Sequence, residues 1–264
     1  MHRQLPQIAR RRLDPTARYG LSLTLFVVAV ILVGIPFSYL LIEITSDDEV
    51  VRMDMAAAEK LFELKQRAPA MTAVFNGISM LGAPVWFWIL VGGICVYLWT
   101  RHRPRLVAYL LTSTLGGSLI NTAVKIAVDR PRPTFRDPSA ITFQDGKSFP
   151  SGHTMSSTIA YGAILLIFLP LIARRYRPWA VAGVFGLVSL IAISRLALGV
   201  HYISDVVGGF ILGLAWLTAS TAAFSIWRVD RGRHPVSPMS GVEPEAASDL
   251  AAHPDEVEDQ EIPG

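Results

Sequence analysis

Six uncharged, apolar runs dominate the chain: Tyr19 to Ile42, Ala68 to Thr100, Leu106 to Val124, Thr154 to Ala173, Pro178 to Ser194 and Val206 to Trp227. A backbone that enters hydrocarbon must satisfy its own N–H and C=O groups, and a helix does so with about 20 apolar residues per crossing. The expected fold is therefore all-α, a six-span transmembrane helical bundle. A content of 52% hydrophobic and 17% charged residues over 264 positions is too apolar for an ordinary soluble domain and agrees with that reading. The second run is too long for one helix. Gly82 and Pro84 predict a break, with Val85 to Trp99 crossing and Met71 to Leu81 leading in. The fifth run is short and would borrow length from the arginines on its flanks.

Those arginines also predict an orientation. Arg3, Arg10, Arg11, Arg12 and Arg18 precede the first run, Arg101, Arg103 and Arg105 follow the second, Arg174, Arg175 and Arg177 follow the fourth, and Arg228, Arg231 and Arg233 follow the sixth. All four groups fall on one side, which the positive-inside rule assigns to the cytoplasm. Both termini are then cytoplasmic, and the expected setting is a bacterial cytoplasmic (plasma) membrane. Lys125, Arg130, Arg132 and Arg136 fall on the opposite side, against the rule, and binding of an anionic group would account for them. A cleavable signal peptide is the rival reading of the first run. Its apolar stretch exceeds a signal core, and Glu43, Asp47, Asp48 and Glu49 follow it instead of a small-residue cleavage site.

Three regions divide the chain: a basic cytoplasmic tail over 1–18, a membrane domain over 19–228 and an acidic cytoplasmic tail over 229–264. The last holds nine acidic residues against two arginines and shows no apolar periodicity, which predicts disorder. Without it the remaining chain has 22 basic and 12 acidic residues, a balance suited to an anionic lipid surface. The basic residues are scattered over membrane loops, so no nucleic-acid partner is expected. Cys95 has no second cysteine to pair with and reads as apolar filler. Between the first two runs, Val50, Met53, Ala57, Leu61 and Leu64 recur at helical spacing with Arg52, Asp54, Glu59, Lys60 and Glu63 between them. This is an amphipathic helix that either lies on the outer leaflet or packs on the bundle as a lid.

The polar chemistry is concentrated in three strings. His201 and Asp205 are four apart at the entrance to the sixth run, so a helix there puts both on one face. The carboxylate can then fix the imidazole's tautomer and leave the other ring nitrogen free to attack phosphorus. Taken alone, the pair reads as readily as a helix-capping aspartate beside an interfacial histidine. Pro150, Ser151 and Gly152 form a turn that opens the fourth helix, where free N–H groups favour an oxyanion, and His153 follows them as a candidate general acid and base. Lys125, Arg132 and Arg195 supply cations that suit a phosphate. Pro131 and Pro133 bracket Arg132 and should hold it in extended chain.

Lys, six residues, Arg-Pro; then Pro-Ser-Gly-His; then Ser-Arg, five residues, His, three residues, Asp: this order resembles the three-part signature of the type 2 phosphatidic acid phosphatase superfamily. Within it, the likeness is to membrane-bound lipid phosphatases and the undecaprenyl-diphosphate phosphatase-like branch. Each signature position is filled, at Lys125, Arg132, Pro133, Pro150, Ser151, Gly152, His153, Ser194, Arg195, His201 and Asp205. The resemblance implies that His201 forms a phosphohistidine, that Asp205 supports it and that His153 protonates the leaving group. It implies that Lys125, Arg132, Ser151, Gly152 and Arg195 bind the phosphate, that no metal or other cofactor is needed, and that the site faces outward. The implied partner is a lipid phosphate or diphosphate in the bilayer, such as phosphatidic acid, phosphatidylglycerol phosphate or a polyprenyl diphosphate.

Other chemistries share that signature, among them glucose 6-phosphatases and vanadium-dependent haloperoxidases, the latter largely soluble. Phosphotransfer to a lipid or sugar acceptor would use the same residues. An anion or lipid transporter without hydrolysis is poorly supported, because the runs carry no charge in their middles. Neither the particular lipid nor the oligomeric state is legible in the chain.

Overall fold

Prolines open the helices where the sequence breaks its apolar runs, because the first helical position needs no N–H partner. In the computed structural model, which describes residues 34–46, 49–67, 69–134, 146–233, 236 and 238–251, the order is α1 (Gly34–Thr45), α2 (Glu49–Arg67), α3 (Pro69–Met80), α4 (Pro84–Thr100), α5 (Pro104–Val128), α6 (Gly152–Phe168), α7 (Arg177–Ala197), α8 (Ile203–Asp230) and α9 (Ala247–Ala251). Among the described residues there is no strand.

Among the described residues, five helical stretches are long and apolar enough to cross a membrane: Ala70–Thr100, Pro104–Val128, Gly152–Leu171, Arg174–Ala197 and Ile203–Asp230. Most of the first expected span lies outside the described residues, as does the arginine-rich 1–18 segment; α1 is its described end. The break expected in the second run is present, with a turn over Leu81 to Ala83 between α3 and α4. Large side chains such as Trp88, Ile89, Leu119 and Phe185 are exposed around the outside of the helices, as an apolar solvent allows.

Helix α6 is the axis of the bundle, with 56% of its span buried against 22–33% for the other four. It touches α5, α7 and α8. Its approach to α8 is close because α8 offers glycines. A Cβ on Gly213 would lie 2.9 Å from Thr158 Cβ, and one on Gly208 would strike the Phe149 ring at 2.5 Å. Small residues of this kind let helix backbones meet where no hydrophobic effect drives association.

Helix α2 is the amphipathic helix expected, but it docks by a different face. The residues it buries are Asp54, Ala58 and Phe62, spaced by four and packed toward α7 and α8, while Met53 and Leu64 remain exposed. An aspartate faces inward because partners for it are buried beside it.

The acidic segment after α8 departs from its expected disorder. Helix α8 runs on to Asp230, and the chain then folds back to the arginine-rich end of the bundle, where Val242, Glu243, Ala246 and Leu250 are buried. Arg228 donates to the Val242 carbonyl at 2.7 Å and pairs with Glu245 at 3.0 Å. Arg233 pairs with Glu243 and Glu245, Arg103 pairs with Asp249, and Tyr97 Oη donates to the Leu250 carbonyl at 2.8 Å. Acidic composition favours disorder only where no cations stand ready to neutralise it, and here they do. Residues 252–264 lie outside the described residues.

Candidate active site

The signature residues come from four helix ends that meet at one end of the bundle. Lys125 sits in the last turn of α5, Ser151 caps α6, Arg195 lies in the last turn of α7, and Asp205 lies in the first turn of α8. His201 is on the short link between α7 and α8, and Arg132 is on the extended chain that leaves α5. The arginine-rich loops and the folded-back acidic segment occupy the other end.

His201 and Asp205 form the expected pair. His201 Nδ1 lies 3.2 Å from Asp205 Oδ2, and both residues are buried. A carboxylate oxygen only accepts, so Nδ1 carries the proton and Nε2 keeps its lone pair. Asp205 Oδ2 also accepts the Tyr202 backbone N–H at 2.9 Å, so this aspartate is both a helix cap and the histidine's partner. Burial pushes the His201 imidazole down to about 4, with Asp205 opposing and Arg132 and Arg195 reinforcing the shift. A neutral ring is the form that can attack phosphorus.

His153, at the second position of α6, is half-buried and feels the charges of Arg195, His201, Arg132 and Lys125. The turn between α3 and α4 presses on it: a Cβ on Gly82 would lie 3.2 Å from its Cδ2 and 2.7 Å from Ile191 Cγ2. Tyr161 Oη holds that turn by donating to the Leu81 carbonyl at 2.7 Å. Ser151 is not a free anion donor through its backbone, because its N–H is given to the Asp205 carbonyl at 2.9 Å. The first bond within α6 runs from Met155 N–H to the Ser151 carbonyl at 3.0 Å, so the first-turn N–H groups that precede it are those of Gly152, His153 and Thr154. The Ser151 hydroxyl accepts from Thr154 Oγ1 at 3.1 Å.

The three cations are anchored in different ways. Arg132 donates from Nε to the Gly146 carbonyl at 3.0 Å and from Nη1 to the Val200 carbonyl at 2.8 Å, with His201 Nε2 3.5 Å away. Lys125 Nζ donates to the Lys147 carbonyl at 2.6 Å. Arg195 is 3% exposed and donates from Nη1 to Ser79 Oγ at 2.5 Å. Ser79, near the end of α3, carries no motif signal, yet the break after it delivers the hydroxyl to Arg195. Arg136 lies outside the described residues. Among the described residues no three His, Cys, Asp or Glu side chains gather as a metal would require.

Two charged residues outside the signature join it. Arg130 Nη1 donates to Asp205 Oδ1 at 2.8 Å and to Ser204 Oγ at 2.6 Å, and its Nη2 pairs with Asp54 Oδ2 at 2.9 Å. Asp54 in turn accepts the Ser204 backbone N–H at 3.1 Å and the Ser204 hydroxyl. Arg130 is thus committed to two aspartates and a serine within the protein.

Comparison with known proteins gives the same region a family. A model described as the PAP2 superfamily matches residues 105–228. Phosphatidylglycerophosphatase B of Bacillus subtilis is 33% identical over 154 residues, 56% of this chain and 72% of that protein. A lipid A 1-phosphatase of Rhizobium etli is 32% identical over 122 residues, 44% of this chain and 48% of that one. Among solved structures, a transmembrane PAP2-type phosphatidylglycerolphosphate phosphatase from Bacillus subtilis superposes with a TM-score of 0.63 at 26% identity, covering 76% of this chain and 96% of that one.

Proposed function

Since the chain belongs to the PAP2 superfamily, we propose that it is a membrane-bound phosphatase that hydrolyses a lipid phosphate through a phosphohistidine on His201. The supporting observation is the neutral, buried imidazole whose Nδ1 proton is held by Asp205 and whose Nε2 is turned toward the Arg132 guanidinium. In the reaction, Nε2 forms a bond to phosphorus as the bond from phosphorus to the lipid oxygen breaks. His153 gives that oxygen its proton. Water then attacks the phosphohistidine, His153 takes the water's proton, and inorganic phosphate leaves with His201 restored.

Lys125, Arg132, Arg195 and the N–H groups of Gly152 and His153 neutralise the charge that spreads over the phosphoryl oxygens. The incoming phosphate brings negative charge that favours the protonated form of His153 needed for its first step. Ser151 joins them through its hydroxyl, which accepts from Thr154 and keeps its own proton to donate, while its backbone N–H is committed to α8. The mechanism asks nothing of a metal.

The related proteins are named for phosphatidylglycerol phosphate and for the 1-phosphate of lipid A, both phosphate monoesters on a membrane anchor. A substrate of that class is proposed here, with phosphatidylglycerol phosphate first in the panel, then phosphatidic acid and polyprenyl diphosphates. A further span over the first apolar run, Tyr19 to Ile42, belongs to the same proposal; with six spans the positive-inside rule would put the arginine-rich end in the cytoplasm and the phosphatase site at the outer leaflet.

The test is phosphate release by the protein purified in detergent. Wild type should release phosphate from short-chain phosphatidylglycerol phosphate and, with radiolabelled substrate, yield an acid-labile phosphoprotein. His201→Ala should do neither. Retained release by His201→Ala would refute the assignment of the nucleophile.

A further inference from the structure

Asp54 lies on α2, 76 positions before Arg130 and 150 before Ser204, the two residues it pairs with, and is 3% exposed. Arg130 is brought to it by the end of α5, where Asp129 takes a left-handed conformation (φ 52°) and turns the chain inward. Asp54, Arg130, Asp205 and His201 then form one buried file, each joined to the next by a hydrogen bond of 2.8–3.2 Å. The Arg130 guanidinium lies 4.3 Å from the Tyr202 ring centroid, which fixes its plane as well as its donors.

We infer that Asp54 and Arg130 are positioning residues for the His201 nucleophile, acting through Asp205. This rests on the reading of His201 given above. The geometry gives each a distinct task. Arg130 holds Asp205 by Oδ1, so that Oδ2 is aimed at His201 Nδ1 and cannot rotate away. That grip has an electrostatic cost, because a guanidinium beside Asp205 weakens the carboxylate's support for the imidazolium that forms when Nε2 attacks phosphorus.

Asp54 removes that cost. Its charge neutralises Arg130 from the far side, leaving the file with one net negative charge behind the nucleophile. Buried ions are expensive and apolar packing would serve a merely structural purpose as well. A three-charge arrangement behind a histidine is what a developing positive charge requires. The ionisable groups facing His201 are Asp205 from α8, Arg132 from the chain after α5 and Arg195 from α7, with His153 of α6 across from it.

The experiment uses full-length protein in detergent with short-chain phosphatidylglycerol phosphate. Asp54→Asn keeps the shape and an acceptor but removes the charge. Its kcat should fall about tenfold or more with KM within about twofold of wild type, as expected for loss of an interaction made in the transition state. The acid limb of its kcat/KM profile should move to lower pH, since the imidazolium loses negative support. Arg130→Lys keeps the charge but not the two-pronged hold, and kcat should again fall while KM stays. Melting temperature of each variant separates folding from turnover.

A kcat within about twofold of wild type per folded molecule, with an unmoved acid limb, would overturn the inference and leave the file a purely structural feature. His201→Ala distinguishes the two levels of argument. If it is inactive while Asp54→Asn and Arg130→Lys are unimpaired, the positioning role alone falls. If it retains activity, the nucleophile assignment falls first.

Discussion

The backbone N–H of Ser151 donates to the carbonyl oxygen of Asp205 at 2.9 Å. One hydrogen bond therefore ties the turn that presents His153 to the helix start that supports His201. The two histidines keep their separation because the two helix ends are joined directly.

Gly209, one turn along α8 from Asp205, allows that junction. A Cβ there would lie 2.8 Å from the Ser151 carbonyl oxygen and 3.2 Å from Thr154 Cβ, both inflexible neighbours. Gly209→Ala should destabilise the fold by about 1–3 kcal/mol and depress kcat by separating the histidines. Gly183→Ala on α7, where an added Cβ meets nothing within 4 Å, is the control and should leave melting temperature and turnover near wild type.

The pH dependence follows from His201. Its imidazole titrates at about 4, below its ordinary 6.5, because burial disfavours the charged form. In the proposed mechanism the neutral form attacks, so the free enzyme should keep its nucleophile as pH falls and lose it only near 4. The acid limb of kcat/KM should show no break near 6.5 from this residue. Stability moves differently: below 6.5 the unfolded chain binds a proton that the folded ring refuses, so acidification from 6.5 to 4 lowers stability, with no further change from this group below that. Melting temperatures over that window, compared with those of His201→Ala, would check the sign.

Arg132 bridges the Gly146 and Val200 carbonyls while facing His201. Arg132→Lys keeps one positive charge but cannot span both carbonyls and a phosphate at once. It should lower kcat/KM by about 2–4 kcal/mol of transition-state stabilisation, in the range for an oxyanion donor. Recovery of activity by added guanidinium ion would locate the loss in the side chain's fork.

The folded-back C-terminal segment is held by Arg228, Arg233 and Arg103. Arg228 lies about 35 Å along α8 from Asp205, at 1.5 Å per residue. Truncation after Arg233 should lower the melting temperature by exposing the apolar surface under Val242, Ala246 and Leu250, while phosphate release at low temperature stays within about twofold of wild type, because the reacting groups are distant. Loss of activity at temperatures where the truncated protein is folded would contradict this.

Topology is open to direct labelling. Thr134 is exposed on the chain that follows Arg132. Thr134→Cys, in a chain whose natural Cys95 is replaced by alanine, should react with an impermeant maleimide from outside intact cells. Labelling only after the membrane is opened would reverse the proposed orientation.

The amino-acid sequence by itself determined the helical class, the break at Gly82 and Pro84 and the identity of the signature residues. Each of these is local: an apolar run long enough for a bilayer, a proline that cannot continue a helix, and short strings whose residues and spacing carry the family resemblance. Only the tertiary structure decided how those strings are supported. Asp54 reads as one more charge on the polar face of an amphipathic helix, and Arg130 as another candidate phosphate ligand. Their buried pairing joins positions 76 residues apart, a separation at which no local pattern reports a contact. Ser79 reached Arg195 across 116 residues in the same way. The acidic segment after α8 was legible only as composition. Its order depends on Arg103 from the link between α4 and α5 and on Arg228 of α8 as well as on its own Arg233, and neutralisation across the fold is a property of where helices end in space.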